Sequence, residues 1–202
     1  MWSLLKENAV PTKSFDGGLE EGELISIGID QSLTGFALTA ISCAEPMRYL
    51  TWVYKSPYFG VERLADIRQF LFDHLDYLSQ NNRAIENIAM EGTVLASHSA
   101  LVLGELSALV KLTMYDYFDD DTRFPIQVPP MTLKKYAAGK GNAKKQEMLL
   151  QMYKRWGVEF NDDNAADSYA LARLASGAYK DKVEQSVVEQ MKDLKYRDQS
   201  RD

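Results

Sequence analysis

Four acidic side chains sit where folding alone gives no reason for a carboxylate. Asp30 closes the apolar, β-branched run LISIGID (24–30), and Glu91 closes the similar run in IENIAMEG (85–92). Asp163 and Asp167, with Asn164 between them, open the segment DDNAADSYALA. Aspartate is depleted in strands, and a carboxylate near a core must be paired or must bind a cation. Each acid has a plainer role open to it. Asp30 can begin a turn, Glu91 can be a solvated strand end, Asp163 can be a helix N-cap, and Asp167 can be a favourable charge near a helix N-terminus. Carboxylates that converge, however, repel one another unless something positive sits among them. A hard divalent cation with oxygen ligands, Mg2+ or Mn2+, meets that need.

Convergence depends on the elements that carry these acids. Residues 24–30, 36–41 and 49–54 read as three strands joined by short turns, an antiparallel meander. From Val61 the apolar residues recur at three- and four-residue steps through Ile67, Leu71, Leu75 and Leu78, which predicts an amphipathic helix. A fourth strand follows over 85–92, then a long apolar helix over 99–118, a strand in FPIQVPP (124–130), a basic helix over about 142–156 and a last helix through Ala178. The predicted fold class is α/β: a mixed five-stranded sheet with helices on both faces. In such a sheet the first and fourth strands can run parallel side by side. Asp30 and Glu91 then meet at the edge where α/β sheets usually hold ligands. Residues 163 and 167 are one turn apart and share a helix face that can cover that edge.

The chain is divided into an arm (1–23), a body (24–179) and a charged tail (180–202) whose Val183, Val187, Met191 and Leu194 form one stripe. At 202 residues, 46% hydrophobic and 26% charged, it is long enough for one domain with its own core. No apolar run approaches the roughly 20 residues of a membrane span, and the first residues lack the pattern of a secretory signal. The single Cys43 excludes an internal disulfide framework and points to a reducing compartment: bacterial cytoplasm, a phage-infected cell or an organelle matrix. The formal net charge is −6, yet residues 131–155 place Lys134, Lys135, Lys140, Lys144, Lys145, Lys154 and Arg155 against the lone Glu147. A block of +6 in a chain otherwise at −12 is either a solvated helix face or a footprint for a polyanion.

GIDQSLTGFAL, AMEGTVLASHSALVLGELSALV, GKGNAKKQEM and DDNAADSYALA, in that order, resemble the RuvC-like Holliday junction resolvases of the RNase H-like superfamily over roughly residues 24–178. The resemblance implies a homodimeric endonuclease, dependent on two divalent ions per site, that nicks opposing strands of a four-way DNA junction. It implies Asp30 as a ligand able to bridge the ions, with Glu91 and Asp167 completing the set, and products with 5′-phosphate and 3′-hydroxyl ends. Lys145 matches a phosphate-binding lysine and Lys134 a second basic position, and Lys135, Lys140 and Lys144 extend the expected DNA-binding surface. The chain departs from the family pattern in three places, one being that residues 1–23 and the tail have no counterpart in it. Asn164 stands where bacterial members carry an aspartate, so Asp163 is the expected fourth carboxylate, as in yeast mitochondrial resolvases, with Asn164 the alternative oxygen donor. Thr93, Val94 and Leu95 stand where those members carry a junction-wedging aromatic.

Two other readings stay open at this stage. One is a nuclease with the same metal site that cuts flaps, branched DNA or RNA–DNA hybrids. The other is an actin-like or sugar-kinase-like phosphotransferase, for which this chain is short of glycine-rich phosphate loops. His98, after Glu91, is either a surface residue or a proton shuttle, and His74 is expected to be structural. Gly139-Lys140-Gly141 lacks the spacing of a phosphate loop and reads as a turn. Tyr54, Tyr58, Phe59 and Tyr136 are expected in the core rather than against bases.

Overall fold

The β-branched runs form the sheet and the three- and four-residue apolar periodicities form the helices around it. The computed structural model describes residues 13–81, 83–92, 100–118 and 124–197. The strands are β1 (Lys13–Asp16), β2 (Leu24–Asp30), β3 (Phe36–Ser42), β4 (Tyr49–Tyr54), β5 (Ala84–Glu91) and β6 (Ile126–Val128). The helices are α1 (Gly60–Gln80), α2 (Ala100–Phe118), α3 (Pro130–Ala138), α4 (Lys145–Trp156), α5 (Asp163–Ala175) and α6 (Lys182–Met191). Among the described residues no helix is long and apolar enough to cross a membrane.

The strand order is β1-β4-β3-β2-β5-β6. β2, β3 and β4 are the expected antiparallel meander, and β5 and β6 run parallel to β2. The sheet therefore has six strands rather than five. The additional one, β1, lies in the segment read as an arm and pairs antiparallel with β4 along the sheet edge. Also absent from the sequence reading is α3. Pro129-Pro130 ends the strand read in FPIQVPP, since proline cannot donate to a ladder, and Pro130 also occupies the first turn of a helix, where a missing N–H costs nothing.

Strand alternation divides the interior into two cores. Ile25, Ile27, Ile29, Ile88 and Met90 pack with Phe70, Leu71 and Leu75 of α1 and with Leu106 and Val110 of α2. The opposite face, with Ala37, Val53, Ala89 and Val128, packs against α5 and, beyond it, α3, α4 and α6. In the tail, Val187 and Met191 are buried on the body while Leu194 stays exposed, and Ile126 bridges to Arg197 beside the β6 edge. Glu184 of α6 is fully buried; it accepts a hydrogen bond from Trp156 Nε1 at 2.9 Å and pairs with Arg155 at 2.8 Å.

α5 lies closer to the sheet than a side chain on β2 would allow. A Cβ on Gly28 would fall within 3.0 Å of both the Ser168 carbonyl oxygen and the Ala172 nitrogen. Buried hydroxyls fix the helix along its axis: Ser168 shares a 2.8 Å hydrogen bond with Thr39, which shares another of 2.7 Å with Thr51. Gly28→Ala is therefore expected to lower unfolding stability by at least about 3 kcal/mol, the upper end of overpacking costs, because backbone must move. Denaturant titration checks this, and a loss below about 1 kcal/mol would contradict the packing.

Candidate active site

β2 and β5 are parallel neighbours, and Ile29 is in register with Met90. Asp30 and Glu91 follow in step at the C-terminal ends of the two strands. Because Ile29 and Met90 belong to the core under α1 and α2, alternation turns both acids to the α5 face. α5 begins there. Asp162 is its N-cap and accepts from the backbone N–H of Asn164 at 3.0 Å and Ala165 at 3.2 Å. The capping role considered for Asp163 thus belongs to its neighbour, which frees Asp163. Lys13 of β1 bonds Asp162 at 2.8 Å and ties the edge strand to this helix end. Asp167 lies in the second turn of α5, immediately before the residue that rests on Gly28.

The resulting electrostatics are strained. Asp30 is only 5% exposed; burial, then Asp167, then Glu91 hold its pKa well above the ordinary carboxylate range. Burial and Glu91 push Asp167 up to about 7, with Lys145 pulling the other way. Glu91 is raised by burial against the opposing pull of Lys145 and Lys134. Lys145 supplies the balancing charge. It opens α4, and its Nζ lies 3.3 Å from Asp163 Oδ2. Burial works against its ammonium, but Asp167 and Asp163 outweigh that and raise its pKa. Lys145, Asp163 and Asp167 share a small cleft with Met148, Leu149 and Ala166.

The fold thus brings Asp30, Glu91 and Asp167 within electrostatic reach of one another and sets Asp163 on the Lys145 side. Asn164 instead lies against the β2–β3 turn, where a Cβ on Gly35 would collide with its amide nitrogen. Among the described residues, no three Asp, Glu, His or Cys side chains are gathered into a ready-made cation cage. The donor set is nonetheless all oxygen and mutually repelling, with Asp30 buried, the chemistry that suits a hard cation.

The basic block divides in two. Lys134 and Lys145 act on the carboxylates, and Lys135 and Lys144 are exposed nearby. Lys140 pairs with Glu147 at 2.7 Å, and Gly139 is the left-handed C-cap of α3, not part of a phosphate loop. Arg155 is withdrawn from any ligand surface: it pairs with Asp181 and Glu184 and donates to the Tyr136 and Ala137 carbonyls. Tyr54 and Tyr136 are buried, and their hydroxyls donate to Asp66 and to the Ala178 carbonyl. His74 is structural, packed on Trp52 and Phe70, while Phe59 is exposed under the Arg63 guanidinium. His98 and residues 93–95 lie outside the described residues. Sequence reasoning missed Gln31, whose Nε2 donates to the Glu91 carbonyl at 2.6 Å and joins the two strand ends past their last paired residues. A glutamine directly after a strand-ending aspartate was the only available signal.

No family model and no curated protein matches this chain. Among solved structures it is similar to T. thermophilus RuvC in complex with a Holliday junction substrate, at 20% identity and a TM-score of 0.57 over 74% of this chain and 91% of that one. A second structure of Thermus thermophilus RuvC gives 19% identity and a TM-score of 0.56, covering 84% of this chain and 97% of that one. The yeast mitochondrial Holliday junction resolvase Ydc2 gives 16% identity and 0.52, covering 86% and 82%. The chain has the RuvC-like form of the RNase H-like fold.

Since Asp30, Glu91 and Asp167 all have raised pKa values, the folded chain holds protons that the unfolded chain, with carboxyls near about 4, releases. Stability from these groups is full below that value and is lost as pH rises, for Asp167 through about 7. His74, whose burial lowers its pKa, pulls the other way as pH falls below about 6.5. The difference between wild type and Asp167→Asn isolates the carboxyl. In chelator, the variant's Tm is expected to exceed wild type at about pH 8, with the gap closing toward about pH 5. A gap that widened on acidification would contradict this arrangement.

Proposed function

We propose that this chain is a divalent-metal-dependent, structure-selective endonuclease that resolves four-way DNA junctions by paired symmetric nicks. The observation that carries the reading is the convergence of Asp30, Glu91 and Asp167, from two adjacent strand ends and one helix, into mutual repulsion beside Lys145. Asp30, Glu91 and Asp167 would hold the two ions, Mg2+ or Mn2+, with Asp163 as the fourth carboxylate. When bound, such ions supply Lewis acidity for in-line attack by water and for stabilising the leaving oxygen, giving 5′-phosphate and 3′-hydroxyl ends. Burial of Asp30 keeps bulk water from competing for its oxygens. Lys145 offers its ammonium to the reacting phosphate, and Lys134, Lys135 and Lys144 follow the backbone. The junction as substrate is supported by the shared fold with RuvC in complex with a Holliday junction substrate.

A homodimer would supply the second nick. On α2, Leu101 (79% exposed), Leu112 (61%), Tyr115 and Ala108 form an exposed apolar stripe. Two antiparallel copies centred on Ala108 would set Leu101 against Tyr115 and Leu112 against Gly104, a self-complementary contact that closes with two-fold symmetry. Sedimentation is expected to show a wild-type dimer and a Leu112→Glu monomer that makes single rather than paired nicks. A wild-type monomer at micromolar concentration would overturn the dimer.

The activity test uses a labelled four-way junction beside a matched duplex, flap and RNA–DNA hybrid, with Mg2+ and with chelator. Expected are symmetric nicks on the junction alone, abolished by chelator. Asp30→Asn should reduce cutting by on the order of a thousandfold while leaving junction binding intact. Better cutting of flaps or hybrids would overturn the substrate, and no metal-dependent cutting at all would overturn the activity.

A further inference from the structure

Gln31 follows Asp30 at the point where β2 leaves the sheet, and it is only 6% exposed. Its Nε2 donates to the Glu91 carbonyl at 2.6 Å. A carbonyl can only accept, so this bond fixes which amide atom faces it and leaves Oε1 on the other side. That oxygen is buried and has no hydrogen-bond partner. The other unpartnered buried side-chain atoms among the described residues are arginine nitrogens, of Arg48, Arg83 and Arg173, so Gln31 Oε1 is the one orphan acceptor there. A buried acceptor without a donor costs free energy, and such groups in native structures point to a ligand that completes them.

We propose that Gln31 Oε1 is a neutral oxygen donor to the divalent cation held by Asp30 and Glu91, while Nε2 fixes the strand end that carries Glu91. The inference rests on the metal-dependent reading above. A neutral donor suits this position because it adds coordination without adding to the repulsion among Asp30, Glu91 and Asp167. Amide carbonyl oxygens are ordinary ligands of hard cations. The cation would complete the one buried side-chain acceptor left unpartnered among the described residues.

The test measures Mn2+ binding to the full chain without DNA, by calorimetry and by the loss of the free-ion paramagnetic signal. Gln31→Met keeps length and bulk but removes both polar atoms, and Mn2+ affinity is expected to fall at least tenfold. Gln31→Glu keeps an oxygen at the Oε1 position, exchanges the donor for a second acceptor and adds a negative charge that attracts the cation, so affinity is expected to equal or exceed wild type. Unchanged binding by Gln31→Met would overturn the proposal. Equal losses in both variants would also overturn it, leaving Gln31 as a strand clamp alone. If Gln31→Met fails to fold, Gln31→Glu decides, and weakened Mn2+ binding by that variant refutes the donor role. Wild-type protein that binds no Mn2+ marks a different failure, that of the metal-dependent reading itself.

Discussion

The near-contact of β2 and α5 at Gly28 is the constraint from which the site follows. Hydrogen at that position lets the helix backbone settle onto the strand, with Ser168 and Ala172 against it. Asp167, one residue before Ser168, is thereby carried over the end of β2. The shared hydroxyls of Ser168, Thr39 and Thr51 then set where along its axis the helix stops. Neither device involves an acid, yet together they force Asp30 and Asp167 into each other's field. The repulsion is imposed by backbone packing, which the carboxylates have no freedom to escape.

Holding like charges together requires stability from elsewhere. The α5 face supplies much of it: Ala165, Tyr169, Ala170, Leu171 and Leu174 are all buried. A second contribution comes from the far end of the same layer. Glu184 carries its buried charge among Arg155, Arg173 and the indole of Trp156, and so locks α6 to α3, α4 and α5. Breaking one partner of such a buried group is costly, so the network acts as a specific latch. α3 and α4, which present Lys134 and Lys145 to the carboxylates, are held from behind by this latch. On α4 a charge that serves the fold, Arg155, and a charge that faces the site, Lys145, therefore sit at opposite ends of one helix.

That division explains how much was legible in the sequence. The adjacency of Asp30 and Glu91 was readable because two apolar runs end in acids, and the helix between β4 and β5, after an antiparallel meander, lets β5 run parallel to β2. The shared face of residues 163 and 167 followed from helical spacing. What escaped depends on contacts between distant segments. Arg155 counts as a basic residue in any window, and only its burial against Asp181 and Glu184 removes it from the polyanion surface. Lys13–Asp16 has no strand signal of its own, since a four-residue edge strand is specified by the partner it pairs with. Pro129-Pro130 satisfies both a strand stop and a helix start, and the helix start is hidden until α3 is seen. Which aspartate caps α5 was not legible because Asp162 and Asp163 are the same residue type, and geometry alone separates the one that bonds the backbone from the one that meets Lys145.

Several local violations of folding rules gather at one place. Lys144 and Lys145 stand at the N-terminus of α4, the end where a helix dipole disfavours cations. Asp30 is an acid buried inside a sheet, and Gln31 is an amide with its oxygen left unpartnered. By contrast, the two acids opening α5 lie at the end where the dipole favours them, and one of them caps the helix. The unfavourable lysine of α4 and the favourable acid of α5 meet as Lys145 and Asp163. Two helix N-termini thus aim at one cleft, with the positive side chains on one and the negative on the other. Such an arrangement does little for either helix taken alone. On the proposed nuclease reading it is a place where positive and negative groups are both required within reach of a phosphate, so the residues that folding least favours would be those that define the site.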